Sequence, residues 1–148
     1  MHRVGFRVRG PMALVLLALP AGLYACQSPT APPSPPGGGQ VLVLDFNEFQ
    51  QKVEPVLTRQ GCDATGDCHG GGIRGTFQLS PPGAKNVRFD FDQSSLQTTI
   101  TPRDSSAILR MPLALVAGGS PHPYKPFADT SDSDYVAMRK WVQDGVVQ

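Results

Sequence analysis

Apolar residues at helical spacing predict a first helix over residues 46–57. Its apolar positions are Phe46, Phe49, Val53, Val56 and Leu57, which fall on one face of a helix. Asp45 is a candidate N-cap, because its carboxylate can accept hydrogen bonds from the free backbone N–H groups of the first turn. Pro55 has no N–H group and should kink or restart the helix. We expect the helix to end just before Gly61 and to present the residues that follow.

A second helical pattern lies towards the other end of the chain. Its apolar residues are Tyr135, Met138, Trp141 and Val142. Ser131 and Asp134 form a capping box of the Ser-x-x-Asp kind, and Gly145 stands where a helix commonly ends. The two patterns predict a mainly α-helical domain with helices near both of its ends.

The region between these helices has a weaker pattern. Residues 77–79 and 87–91 alternate between apolar and polar, which predicts two short extended segments. Residues 105–110 predict a short helix, capped by Asp104 or Ser105, that stops at Pro112. With 16 glycines and 15 prolines in 148 residues, we expect the domain to be rich in loops.

The first 25 residues have the layout of a secretory signal peptide. Three arginines precede an apolar run over residues 12–20, which is too short to span a membrane. The run is followed by Leu-Tyr-Ala-Cys at residues 23–26, which resembles a bacterial lipobox. This resemblance implies cleavage after residue 25 and lipidation of Cys26. A plain signal peptide followed by an incidental cysteine is the alternative.

Residues 26–40 predict a tether, because they are rich in proline and glycine and contain no apolar core residue. The folded domain is therefore expected over residues 41–148. By resemblance to bacterial sorting rules, Gln27 after the cysteine favours the outer membrane, with the exported domain facing the periplasm or the cell surface. The formal net charge is +1 and becomes −2 without the three arginines of the signal peptide, so nothing indicates a nucleic acid partner.

The candidate chemistry lies directly after the first helix. Cys62 and Cys68 are followed by His69 and then by three glycines. Two cysteines and an adjacent histidine occur in this order where haem is attached covalently, with the histidine as the proximal iron ligand. The common spacer between the cysteines has two residues, whereas this one has five. The longer spacer can close if it bulges outward, and Gly66 beside Asp67 suits a turn.

Two other uses of these residues are open. In an exported protein, Cys62 and Cys68 could form a disulfide around a small loop, with His69 as an exposed loop histidine. The domain would then be a haem-free, surface-anchored binding module that uses its proline-rich loop for recognition. Alternatively, the two cysteines with His69 and His122 would make a Cys2His2 zinc set, although the side chains of the adjacent Cys68 and His69 diverge.

Several motifs follow one another in an order that resembles a c-type cytochrome of the small bacterial lipoprotein kind. The matching residues are Phe49, Val53 and Pro55; Cys62, Cys68, His69 and Gly70; Ser106, Leu109, Met111, Pro112 and Leu113; Gly118, Gly119, His122 and Phe127; and Tyr135, Trp141, Val142 and Gly145. The resemblance implies a cytochrome c-like domain whose first and last helices pack together over one covalent haem c. It also implies an electron carrier rather than an enzyme, with other redox proteins of the periplasm as partners.

Two residues compete as the sixth iron ligand, opposite His69. His122 lies in a loop stiffened by three prolines, and we expect Gly118-Gly119 to let the backbone approach the haem. Met111 precedes a proline after a short helix, where cytochromes of this class often place a methionine. We favour His122, because a proline-flanked loop holds a ligand at low entropic cost, whereas Met111 can also serve as a core residue.

Overall fold

The structure is a computed structural model that describes residues 39–66, 68–71 and 75–148. The predicted signal peptide, the lipidation site at Cys26 and nearly all of the tether lie outside these residues and stay predictions. Among the residues that are described, none of the helices combines the length and the apolar character needed to cross a membrane.

The first helical segment has three parts. Strand β1 (Leu42–Val43) leads into helix α1 (Phe46–Glu48), a π-helical stretch (Phe49–Val53) and helix α2 (Glu54–Arg59). Asp45 caps α1 as predicted, since its Oδ1 accepts a hydrogen bond from the backbone N–H of Glu48 at 2.6 Å. The restart at Pro55 is also confirmed: the proline lies in the first turn of α2, where its missing N–H group leaves no hydrogen bond unmade.

The last helix, α5 (Ser133–Asp144), buries the four apolar residues that predicted it, Tyr135, Met138, Trp141 and Val142. The capping box at Ser131 is wrong, because Asp132 is the N-cap and its Oδ1 accepts hydrogen bonds from the N–H groups of residues 134 and 135. Gly145 ends the helix, as predicted. A Cβ at this position would lie 2.8 Å from side-chain atoms of Leu42 and of Leu44, so a larger residue would have to displace these leucine side chains.

The first and last helical segments pack directly on each other. The ring centroids of Phe49 and Trp141 are 5.2 Å apart, and Trp141 Nε1 donates a hydrogen bond to the carbonyl of Asp45 at 3.0 Å. Beside this contact, β1 pairs in antiparallel fashion with β2 (Val146–Val147). The sequence did not predict this ribbon, because two-residue strands are too short to carry a pattern.

The prediction of an extended segment at residues 87–91 is wrong. These residues begin helix α3 (Val87–Ser95), which is capped by Asn86 through a hydrogen bond from the N–H of Phe89. The buried positions of α3 are Asp90, Phe91 and Ser94, which share one helical face. The face was missed because it includes an aspartate, whose burial depends on hydrogen bonds from distant residues.

The remaining elements are short. Helix α4 (Ala107–Arg110) confirms the predicted short helix, but Ser106 is its N-cap instead of Asp104 or Ser105. Of residues 77–79, only Leu79 forms a bridge, with Gly70. The described part of the chain is mainly α-helical and rich in loops, as predicted, with a core of apolar residues between α2, α4, α5 and the π-helical stretch.

Candidate functional site

The loop that carries the two cysteines begins at a tight helix end. Gly61 has a left-handed backbone with φ of 68°, and the N–H of Cys62 bonds to the carbonyl of Leu57 at 2.9 Å. This is the Schellman arrangement that terminates helices and turns the chain away from the axis. Helix α2 therefore ends where predicted and delivers Cys62 to the loop.

The five-residue spacer closes on itself through its backbone. The N–H of His69 bonds to the carbonyl of Cys62 at 3.0 Å, and the carbonyl of His69 accepts the N–H of Leu79 at 2.9 Å. Gly70 is required because a Cβ there would lie 1.6 Å from the carbonyl oxygen of Asp63. Hydrogen bonds of both its N–H and its carbonyl therefore fix the main chain of His69. Gly66 adopts a turn conformation with φ of 84°, as predicted.

A second loop, residues 111–127, carries the other two candidate ligands. It is closed by hydrogen bonds between Ala114 N–H and the carbonyl of Phe127 at 2.8 Å, and between Phe127 N–H and the carbonyl of Pro112 at 3.2 Å. A Cβ on Gly119 would lie 1.8 Å from the carbonyl oxygen of Leu113. Gly119 is thus required by contact with the chain itself, which is a different reason from the approach to a ligand that we expected.

The two loops enclose an apolar pocket of about 260 Å³ that is partly open to solvent. Ligand pockets generally have volumes of about 300–1,000 Å³, so this one is near the lower limit of that range. All five residues predicted for the site line it: Cys62, Cys68, His69, Met111 and His122. Its floor comes from apolar side chains of the helices, including Leu57, Ile108 and Met138.

The two histidines approach each other across this pocket. The ring centroids of His69 and His122 are 6.1 Å apart, and their planes are nearly parallel, at 18°. The residues are far apart in sequence, and each comes from a separately closed loop. The structure therefore brings together the histidine pair that the sequence predicted as axial ligands.

Both imidazoles are oriented by a backbone carbonyl. His69 Nδ1 lies 3.0 Å from the carbonyl oxygen of Phe77, and His122 Nδ1 lies 2.6 Å from that of Tyr124. Because a carbonyl only accepts, the proton of His69 is on Nδ1 and its Nε2 keeps the lone pair. At His122 the backbone N–H of Tyr124 also lies 3.4 Å from Nδ1, but the carbonyl is much closer and assigns the proton in the same way. Histidines that bind metal ions are held by partners of this kind.

The surroundings of His69 and Cys62 keep both side chains uncharged. Burial lowers the pKa of His69, the hydrogen bond that its ring donates to the carbonyl of Phe77 opposes this effect, and the nearby His122 lowers it further. Burial, together with the charges of Asp63 and Cys68, raises the pKa of the Cys62 thiol to about 11. At neutral pH His69 is thus a neutral imidazole, and Cys62 is a protonated thiol.

Three alternatives to the histidine pair were the disulfide, the zinc set and ligation by Met111. Cys62 and Cys68 are both free thiols. Over residues 39–66, 68–71 and 75–148, no group of three or more histidine, cysteine, aspartate or glutamate side chains converges as a metal site, so the Cys2His2 zinc set does not assemble. Met111 lines the pocket with 38% of its surface exposed, so it remains within reach of the same space.

A buried charge cluster supports the cysteine loop from behind. Lys85 Nζ lies 3.0 Å from Asp63 Oδ2 and 3.0 Å from Asp90 Oδ2, and it also pairs with Glu54. Asp63, which directly follows Cys62, also accepts a hydrogen bond from the hydroxyl of Thr58 at 2.7 Å. Sequence reasoning missed this cluster, because its members are polar residues on separate elements.

Comparisons with protein-family models, with curated proteins and with solved structures found no match.

Proposed function

We propose that the domain is a c-type cytochrome: it holds one haem covalently through Cys62 and Cys68 and carries single electrons. The observation that carries this proposal is the facing pair of His69 and His122 across an apolar pocket that also contains both thiols. The proposal includes the finer fold assignment, a cytochrome c-like arrangement, beyond the mainly α-helical structure described above.

The residues present fit such a group. His69 and His122 would hold the iron of such a group through their Nε2 atoms. Cys62 and Cys68 would hold its macrocycle through thioether bonds. The observed separation of the His69 and His122 centroids is 6.1 Å. Each ring has its Nε2 free, because Nδ1 is bound to a carbonyl. A bound haem would supply one-electron redox chemistry at a potential set by its ligands and its burial.

The chain's own residues favour electron transfer over catalysis. His69 and His122 would take both axial positions, which leaves no position for a substrate. The walls of the pocket are mainly apolar, and its open side is where a redox partner would approach a bound haem. Ligation by two histidines gives a lower potential than ligation by histidine and methionine.

We further propose that the domain acts at a bacterial membrane, to which a lipid on Cys26 anchors it. The support is the sequence alone: a lipobox-like ending and a tether that cannot form a core. Other redox proteins of the periplasm would be its partners. Labelled palmitate should enter the wild-type protein and not the Cys26→Ser variant. Equal labelling of the two proteins would contradict the anchor.

The haem proposal is tested by mass. Trypsin should release residues 60–74 as one peptide that holds both cysteines, because arginines stand at positions 59 and 74. After expression with a cytochrome maturation system and extraction with acidified organic solvent, this peptide should gain the mass of one haem. Cys62→Ser and Cys68→Ser should each leave at most one thioether bond.

Two results would contradict the proposal. One is haem that is fully extracted from wild-type protein, and the other is a Cys62–Cys68 disulfide in the same peptide, which would favour the haem-free binding module. His122→Ala should replace the wild-type spectrum by a high-spin spectrum or by that of methionine ligation, whereas Met111→Ala should leave the wild-type spectrum. The reverse pattern would assign the distal position to Met111.

A further inference from the structure

The loop of residues 111–127 is built around one lysine. Lys125 Nζ donates to the backbone carbonyls of Met111 at 3.1 Å and Leu113 at 2.9 Å, and also to that of Ser120. An ammonium group has three N–H donors, so these three bonds use all of them. Lys125 is only partly exposed and makes no ion pair within the described residues.

The loop needs such a donor because of its composition. Prolines at positions 112, 121, 123 and 126 have no N–H group, so the segment has fewer backbone donors than carbonyl acceptors. Carbonyls turned towards the inside of a loop must find a partner or lose free energy. The ammonium of Lys125 supplies three donors at one point and fixes the loop around itself.

The three carbonyls connect the two rival ligands. One belongs to Met111, and another belongs to Ser120, two residues before His122. The carbonyl that orients the His122 imidazole belongs to Tyr124, the residue directly before Lys125. Lys125 therefore links the backbone of Met111 to the segment that holds the His122 ring.

We propose that Lys125 is the positioning residue that selects His122, and not Met111, as the ligand opposite His69. The inference rests on the proposed function, since it concerns which side chain binds the iron. Without the ammonium, the loop loses its central donor and His122 its fixed place. Met111, which lines the same pocket, then competes for the position.

The first test uses wild-type protein. Acetylation of lysines by a small reagent should modify Lys125 at least about tenfold more slowly than Lys52, because breaking its hydrogen bonds must precede reaction. Lys52 is an exposed lysine on the π-helical stretch and serves as the reference. Equal rates would overturn the proposal.

The second test is the ligand signature of the haem-loaded full-length protein. Lys125→Met should show either the near-infrared band and upfield methyl signals of methionine bonded to iron, or a high-spin spectrum. Adding Met111→Leu should abolish the methionine signature, and Lys52→Met should match wild type. If Lys125→Met keeps the wild-type bis-histidine spectrum, the proposal is overturned.

Three further outcomes can be told apart. If Lys125→Met does not fold, Lys125→Arg decides: a planar guanidinium cannot direct its donors to three converging carbonyls, so a second ligand form must appear. A single wild-type spectrum in that variant overturns the proposal. Wild-type protein that already has methionine ligation overturns this inference but leaves haem binding intact. Wild-type protein without haem overturns the function, and the acetylation test still decides whether Lys125 fixes the loop.

Discussion

Replacing Lys85 by methionine should be the most damaging single change to the charge cluster behind the cysteine loop. The ammonium is shared by Glu54, Asp63 and Asp90, whose side chains are 9%, 1% and 0% exposed. Lys85→Met keeps most of the side chain's volume and removes only the charge. Three carboxylates would then remain buried without their cation.

The size of the effect follows from this burial. Breaking one buried ion pair by removing a partner costs about 3–5 kcal/mol. Some contacts survive, because Asp90 keeps its hydrogen bonds from Ser80 and Asp63 keeps that from Thr58. Since three carboxylates lose one shared partner, we expect a loss near 5 kcal/mol, a large part of the about 5–15 kcal/mol that stabilises a typical domain.

The loss should depend on pH in a definite direction. Burial raises the pKa of Glu54, and in Lys85→Met the ammonium no longer opposes this effect, so the folded state keeps this carboxyl protonated to a higher pH than the unfolded state does. The folded state then binds protons more readily, so the loss is largest at neutral pH and shrinks as the pH falls towards about 4. In the wild type, burial lowers the pKa of Lys85. The hydrogen bonds that its ammonium donates to Glu54, Asp63 and Asp90 raise that pKa by more, so the net direction is upward.

Equilibrium unfolding in urea measures this difference. Trp141 is the single tryptophan and is fully buried, so its fluorescence reports unfolding. Lys140→Met is the matched control, because Lys140 pairs with Asp144 on the surface and its loss should leave the free energy of unfolding close to that of the wild type. A loss below about 1 kcal/mol for Lys85→Met, or the same loss at pH 5 and pH 7, would refute the reasoning.

Three other changes test separate features. Burial raises the pKa of Glu54 above 4.5, so this carboxyl stabilises the fold less as the pH rises from 4.5 through its folded-state pKa. Glu54→Gln should remove this pH dependence, which thermal melts at several pH values would measure. Asn86→Ala removes the cap of α3 and should lower the free energy of unfolding by about 1 kcal/mol in urea. Gly119→Ala should displace the loop and reduce haem absorbance per protein, whereas Gly83→Ala, which meets no atom within 4 Å, should not.

The sequence predicted those elements whose apolar residues repeat regularly. Phe49 and Val53 in the first helix and Met138 and Trp141 in the last are buried, and each lies where its spacing indicated. The candidate site was also predicted residue by residue, because its cysteines and histidines are rare and chemically distinctive. Their spatial convergence is a finding of the structure.

The parts that escaped prediction depend on buried polar groups. Asp90 is fully buried in α3 because Lys85 and Ser80 satisfy its oxygens, and no local pattern indicates such partners. Lys125 was unremarkable in sequence for the same reason: its three acceptors are backbone carbonyls, which every residue has. Only the folded backbone shows that they converge.

The pairing of β1 with β2 has a consequence for how this domain can be combined with others. Val41 and Gln148 exchange two backbone hydrogen bonds, at 2.9 and 3.0 Å, so the two sides of the ribbon lie next to each other. Domains whose ends are adjacent tolerate circular permutation and insertion into a host protein. A short linker joining these residues, with new ends opened at the exposed turn around Gly83, should give a permuted domain. The domain could then be carried as an insert that leaves the connectivity of its host undisturbed.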